Sequence, residues 1–123
     1  AGDGDFLMTG QELATATGYG AKQLISVVVD NGTYGTIRMH QEREYPGRVS
    51  GSDLFNPDFQ LLAQAHGWAA ARVDHTEEFE PALKAALAAG KPTLIHLRLS
   101  TDVSTSRSTL SAIREDAKKR LGQ

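Results

Sequence analysis

A chain of 123 residues, 40% hydrophobic and 23% charged, has room for one modest core and is too apolar to be disordered. Thirteen basic against fifteen acidic residues leave a net charge of −2, which gives no basic footprint for nucleic acid or an anionic membrane surface. The absence of cysteine excludes a disulfide frame and a thiolate metal site, and no apolar run reaches transmembrane length; a cytoplasmic protein is the expectation.

Residues 6–19 are predicted to be helical, with Gly20 as the stop. Residues 23–29 (QLISVVV) are short, apolar and β-branched, as in a strand buried on both faces of a parallel sheet. A helix is expected over 35–43, and a loop rich in Pro, Gly, Ser and Asp over 44–56. Asn56-Pro57 reads as an N-cap and first helical residue, followed by Phe59, Leu62 and Ala63 at helical spacing. A strand is expected at 68–73. The next helix starts at Thr76 or Glu80-Pro81, with Phe79, Leu83 and Leu87 as its apolar face. Gly90 ends it before a third strand at 92–98. A polar stretch at 99–107 then leads into a terminal helix at 108–121. Alternating helices and strands predict a single α/β domain over 1–123: three layers, a mostly parallel sheet flanked by helices, truncated at its N-terminal side.

Two motifs carry the chemistry. Asp3 lies between Gly2 and Gly4, so a hard oxygen ligand sits on a backbone that can approach a phosphate closely. Asn31 follows the strand at 23–29 and offers a second oxygen. The interval between them is about one helix plus one strand, the step between neighbouring strand ends in a parallel sheet. Two such ligands suit a diphosphate-bound Mg²⁺. Each motif has a plainer reading. Gly2-Asp3-Gly4-Asp5 alone is a turn, and it lacks the later ligands of a calcium loop. Asn31-Gly32 alone is a hairpin signal, but the flank 23–29 does not alternate and 38–43 has weak strand propensity. Asn31-Gly32-Thr33 is also a glycosylation sequon, discounted for want of a secretory signal. Ala89-Gly90-Lys91-Pro92-Thr93 is a helix cap rather than a phosphate loop, because Pro92 lacks the N–H such a loop needs. His66, His75 and His96 are expected to be structural or exposed. His40 lies beyond the Asn31 loop and is a candidate for facing substrate.

Gly-Asp-Gly followed by a helix, a strand and Asn resembles the diphosphate-binding motif of thiamine-diphosphate enzymes. Residues 2–16 (GDGDFLMTGQELATA) look like the same region of acetolactate synthase large subunits, and residues 31–35 (NGTYG) like benzoylformate decarboxylase. The resemblance implies Mg²⁺ held by the Asp3 carboxylate, the Asn31 side-chain oxygen and the Thr33 carbonyl. It also implies backbone N–H groups of Gly4, Asp5, Tyr34 and Gly35 on the diphosphate, and Thr36 and His40 near the substrate. Position 30 is Asp where the family often has a second Asn, and position 40 is His where those relatives have Trp or Phe.

The implied function is part of a lyase or transferase that decarboxylates or ligates 2-keto acids, in a homodimer or homotetramer with upstream domains. The activating glutamate of such enzymes belongs to a separate domain, so no catalytic residue is assigned here and the chain alone is expected to be inactive. It reads as the C-terminal end of such an enzyme, produced by cloning or proteolysis. The competing reading is a flavodoxin-like Mg²⁺-binding or signalling domain without thiamine diphosphate. A receiver of that kind needs a phosphoacceptor aspartate, for which Asp74 is a weak candidate.

Overall fold

The computed structural model describes residues 1–103, 105 and 107–122. In chain order the elements are α1 (Asp3–Thr9), a 3₁₀ turn (Gly10–Glu12), α2 (Leu13–Gly18), β1 (Ile25–Asp30), α3 (Gly35–Glu44), α4 (Phe59–Ala65), β2 (Ala69–Val73), α5 (Thr76–Ala88), β3 (Thr93–Arg98) and α6 (Leu110–Leu121). The chain divides into two compact units, residues 1–30 with 56–98 and residues 31–55 with 99–123.

The first unit contains the sheet. Its strand order is β1-β3-β2 and both pairings are parallel, so β3 is central. Thr93, Leu94, Ile95 and His96 are accordingly all buried, as a strand covered on both faces must be. Alternation along the strands divides the core. On one face Val28 and Leu94 meet Phe6, Leu13, Phe59, Ala63 and Trp68 of the α1, α2 and α4 side. On the other, Ile95 and Val73 pack with Ala86, Phe79 and Leu83 of α5. This is the expected three-layer α/β arrangement. Phe59 is fully buried and meets the edge of Phe6 at a centroid distance of 5.5 Å. Burial of a side chain of that size contributes roughly 1.5–3 kcal/mol. The Trp68 indole N–H donates to the Leu13 carbonyl at 3.0 Å, tying α2 to the start of β2.

Residues 1 and 2 lie along β1. Val29 N–H donates to Ala1 O, the Ala1 amino group donates to Val27 O, both at 2.9 Å, and Gly2 pairs with Val29 in parallel. That pairing carries the chain to the C-terminal end of β1 before α1 begins, which is where ligands bind in open parallel α/β sheets.

Two boundaries differ from the sequence reading. The first helix starts at Asp3 rather than residue 6, because Asp3 and Asp5 favour a helix's first turn as well as they favour a turn. The helix after the loop is capped by Asp58, not Asn56. Asp58 Oδ1 accepts from Gln60 N at 2.8 Å and Leu61 N at 3.0 Å. Asp58→Ala should therefore cost about 1 kcal/mol in urea unfolding with an unchanged m-value.

In the second unit α3 packs on α6. Glu42 of α3 is fully buried; one oxygen accepts from Arg114 of α6 and the other from Gly47 N at 2.8 Å. Arg120 donates to the Arg43 carbonyl at 2.6 Å. Thr109 caps the start of α6, and Gly122, at φ +70°, ends it in the left-handed conformation that glycine adopts without cost.

Candidate functional site

In the first unit, Gly2 is extended, Asp3 opens α1, and Asp3 is only 4% exposed. A Cβ on Gly2 would come within 3.3 Å of an Asp5 carboxylate oxygen, the tip of an exposed side chain that can move aside, and the Gly2 φ of −68° is open to any residue. Asp3 Oδ1 accepts from Gly4 N at 3.0 Å, and Oδ2 accepts from the Asn56 amide at 2.7 Å. The same amide nitrogen donates to Asp30 Oδ1, also at 2.7 Å. Asp30 ends β1, and its second oxygen pairs with His96 Nε2 at 2.7 Å. That nitrogen carries the proton, since an ionised carboxylate only accepts. The His96 ring stands edge-on to Phe59, with centroids 5.1 Å apart. A continuous polar chain Asp3–Asn56–Asp30–His96 thus runs through the end of the sheet.

Sequence reasoning did not find Asn56 or His96. Asn56-Pro57-Asp58 contains two capping residues, and the second takes the helix. Asn56 lies outside the helix, where a following proline disfavours helical backbone, and its amide reaches the carboxylates. The signal for His96 was its place in Leu94-Ile95-His96-Leu97, on the same buried face as Leu94.

In the second unit, Asn31 Oδ1 accepts from Thr33 N at 3.2 Å, and the Asn31 carbonyl accepts from Thr101 at 2.9 Å. Gly32 has φ +68°, a conformation open to glycine. Residues 52–54 brace this loop: Leu54 N donates to Gly32 O and Tyr34 N to Ser52 O, each at 2.9 Å, and the buried Thr33 hydroxyl donates to Ser52 O. Arg38 holds the brace through Ser52 Oγ at 3.1 Å and Asp53 at 2.6 Å. Asn31-Gly32 is therefore a strand-to-helix loop and not a hairpin. Thr36 and His40 are both exposed on α3, four residues apart on one face, and Arg43 donates to His40 Nδ1.

The Gly4 N–H donates to the adjacent Asp3 carboxylate and the Tyr34 N–H to Ser52 O.

Among the described residues no cluster of three or more His, Asp or Glu side chains could hold a metal. The sequence-predicted donors are instead one carboxylate, one amide oxygen and one backbone carbonyl. These hard oxygens suit Mg²⁺, which takes the rest of its shell from water and phosphate. Two features of the first unit fit a nearby cation. The Asp3 and Asp30 carboxylates converge on one amide nitrogen, an accumulation of negative charge that burial makes costly. The Asn56 carbonyl oxygen is buried with no hydrogen-bond partner among the described residues.

Residues 1–97 match the family model for the thiamine pyrophosphate enzyme, C-terminal TPP binding domain. The chain belongs to this family. It is 38% identical over 101 residues to an acetolactate synthase large subunit of Parasynechococcus marenigrum, covering 80% of this chain and 16% of that protein. To the Corynebacterium glutamicum acetolactate synthase large subunit it is 41% identical over 90 residues, covering 69% of this chain and 14% of the relative. Among solved structures it is similar to the Rhodococcus jostii RHA1 thiamine diphosphate-dependent 4-hydroxybenzoylformate decarboxylase. The TM-score is 0.74 at 35% identity, over 82% of this chain and 19% of that one. The chain thus spans less than a fifth of the relatives it matches. The flavodoxin-like alternative is not favoured.

Proposed function

We propose that this domain anchors thiamine diphosphate through Mg²⁺, within an acetolactate synthase-like enzyme that decarboxylates or ligates 2-keto acids. The supporting observation is Asp3: a buried carboxylate between two glycines, at the start of α1, fixed by Gly4 N–H and the Asn56 amide. In this reading the Asp3 carboxylate, Asn31 Oδ1 and the Thr33 carbonyl are the protein ligands of the metal. Backbone N–H groups of Asp5 and Gly35 meet the diphosphate. When bound, thiamine diphosphate supplies the carbanion chemistry at the 2-keto carbon. The residues of this chain hold the cofactor and orient it, and the acid–base group that activates it belongs to another domain. The working enzyme is a homodimer or homotetramer, with upstream domains completing the site. Calorimetric titration of the full-length protein with thiamine diphosphate tests this. Binding should be strong with Mg²⁺ and lost in chelator; equal binding under both conditions would refute the metal anchor.

Thr36 and His40 form the substrate-facing surface in this reading. His40 places a polar ring where an aromatic one would favour aromatic acids. His40→Phe should shift the ratio of kcat/KM between polar and aromatic 2-keto acids about tenfold, or about 1.4 kcal/mol of differential transition-state binding. Mg²⁺ and cofactor affinity should hold constant. Unchanged ratios across a panel of keto acids would return His40 to the structural histidines.

A further inference from the structure

We infer that Asn56 is the positioning residue of the cation anchor, holding the Asp3 carboxylate for the metal, with Asp30 and His96 fixing Asn56 in turn. This rests on the reading of Asp3 as a metal ligand and adds three residues to it.

The geometry requires an amide at this place. Asn56 Nδ2 reaches Asp3 Oδ2 and Asp30 Oδ1 at 2.7 Å each. Only a group with two hydrogens on one neutral nitrogen can serve two carboxylates at once without adding charge. A lysine ammonium would do so only by bringing a positive charge that competes with the metal. A hydroxyl has one hydrogen and could donate to only one of the two carboxylates. The amide orientation is fixed, since turning it over would press its carbonyl oxygen against both carboxylates.

That orientation leaves the carbonyl oxygen buried and unpartnered among the described residues. Buried polar atoms are rarely left this way, so the arrangement is held against a cost. Helix capping does not explain it, because Asp58 caps α4. His96 completes the chain: it donates to the other Asp30 oxygen at 2.7 Å, and Phe59 packs against its ring. Asp30 is thereby locked as the far post against which Asn56 is set. Outer partners of metal-binding carboxylates act in this way, and their loss costs about 10–100-fold in metal affinity.

The test is a calorimetric titration of Mg²⁺ dependence in the full-length protein: the Mg²⁺ concentration that half-saturates thiamine diphosphate binding, with Asp3→Ala as reference. Asn56→Ala should raise that concentration about 10–100-fold. Saturating Mg²⁺ should restore wild-type cofactor affinity, and the metal-free thermal midpoint should move by only a few degrees. If Asn56→Ala does not fold, Asn56→Ser, which keeps one donor, decides by the same readout with a smaller rise expected. An unchanged Mg²⁺ midpoint, or a loss of affinity that saturating Mg²⁺ does not restore, overturns the positioning role. If Asp3→Ala also leaves the midpoint unchanged, the metal reading itself falls. If Asp3→Ala alone abolishes the dependence, only the role of Asn56 is wrong.

Discussion

Replacing Asp3 or Asn31 with alanine is expected to abolish Mg²⁺-dependent binding of thiamine diphosphate in the full-length protein while the fold survives. Mg²⁺ accepts few substitutes for a near-octahedral set of oxygens, and removing one protein ligand leaves a vacancy that water fills without charge or preorganisation. Loss of a direct ligand should exceed the roughly 10–100-fold typical of outer-shell partners. The two variants should behave alike for different reasons. Asp3→Ala removes the charged ligand, and it also leaves the Asn56 amide with a single carboxylate. Asn31→Ala removes a neutral oxygen, together with the acceptor that holds Thr33 N at 3.2 Å. Circular dichroism checks the fold and calorimetry the binding. Tight, Mg²⁺-dependent binding in both variants would remove Asp3 and Asn31 from the metal site.

A second large effect is expected where α3 packs on α6. Glu42 is 0% exposed and its charge is met by Arg114, whose side chain is 37% exposed. The hydrogen bond from Arg114 holds the Glu42 carboxyl below its usual range, against the opposing effect of burial, with Gly47 N–H assisting. Arg114→Met leaves a buried carboxylate without its cation. The cost should fall below the roughly 3–5 kcal/mol of a fully buried pair, at about 2 kcal/mol, because solvent reaches the arginine.

The sign of the pH dependence follows from the depressed pKa. In the wild type, Glu42 contributes stability fully present above the unfolded-state value of 4.5 and lost as pH falls through the lower folded value. In the variant the unpaired carboxyl titrates upward, so acidification relieves it. The stability gap between the two proteins should therefore narrow as pH drops from 7 toward 4. Asp74, Glu78 and Asp102 are likewise held low by their hydrogen bonds, with Arg72, with backbone N–H groups and with Ser111 respectively. They are present in both proteins and largely cancel in the difference. A gap that stays constant or widens toward acid would show that Arg114 acts through packing alone.

Much of the sheet unit was legible in the sequence because its signals are local. The runs at 25–30 and 93–98 are apolar and β-branched, and a parallel sheet buried on both faces asks for that pattern. The helix at 76–88 shows its apolar face at Phe79, Leu83 and Leu87, although Leu87 is 64% exposed in the structure. The polar interior was not legible. Asn56 meets Asp3 from 53 residues away, and His96 meets Asp30 from 66. Glu42 sits in the polar stretch Arg38–Arg43 of the helix expected over 35–43, and its partner Arg114 lies 72 residues on. Such pairings depend on tertiary closure and have no sequence period. Asp3 and Asn31, the proposed metal ligands, stand out in the sequence for the opposite reason, since glycine neighbours mark places where a backbone can turn or be approached closely.

The most direct test of the metal anchor is a crystal structure of the full-length protein grown with thiamine diphosphate and Mn²⁺ in place of Mg²⁺, with anomalous data collected for manganese. The expected result is one strong anomalous peak between the cofactor diphosphate and this domain, at about 2.0–2.2 Å from the Asp3 carboxylate, Asn31 Oδ1 and the Thr33 carbonyl oxygen. A peak coordinated by other residues, or a bound diphosphate with no metal beside Asp3, would contradict it.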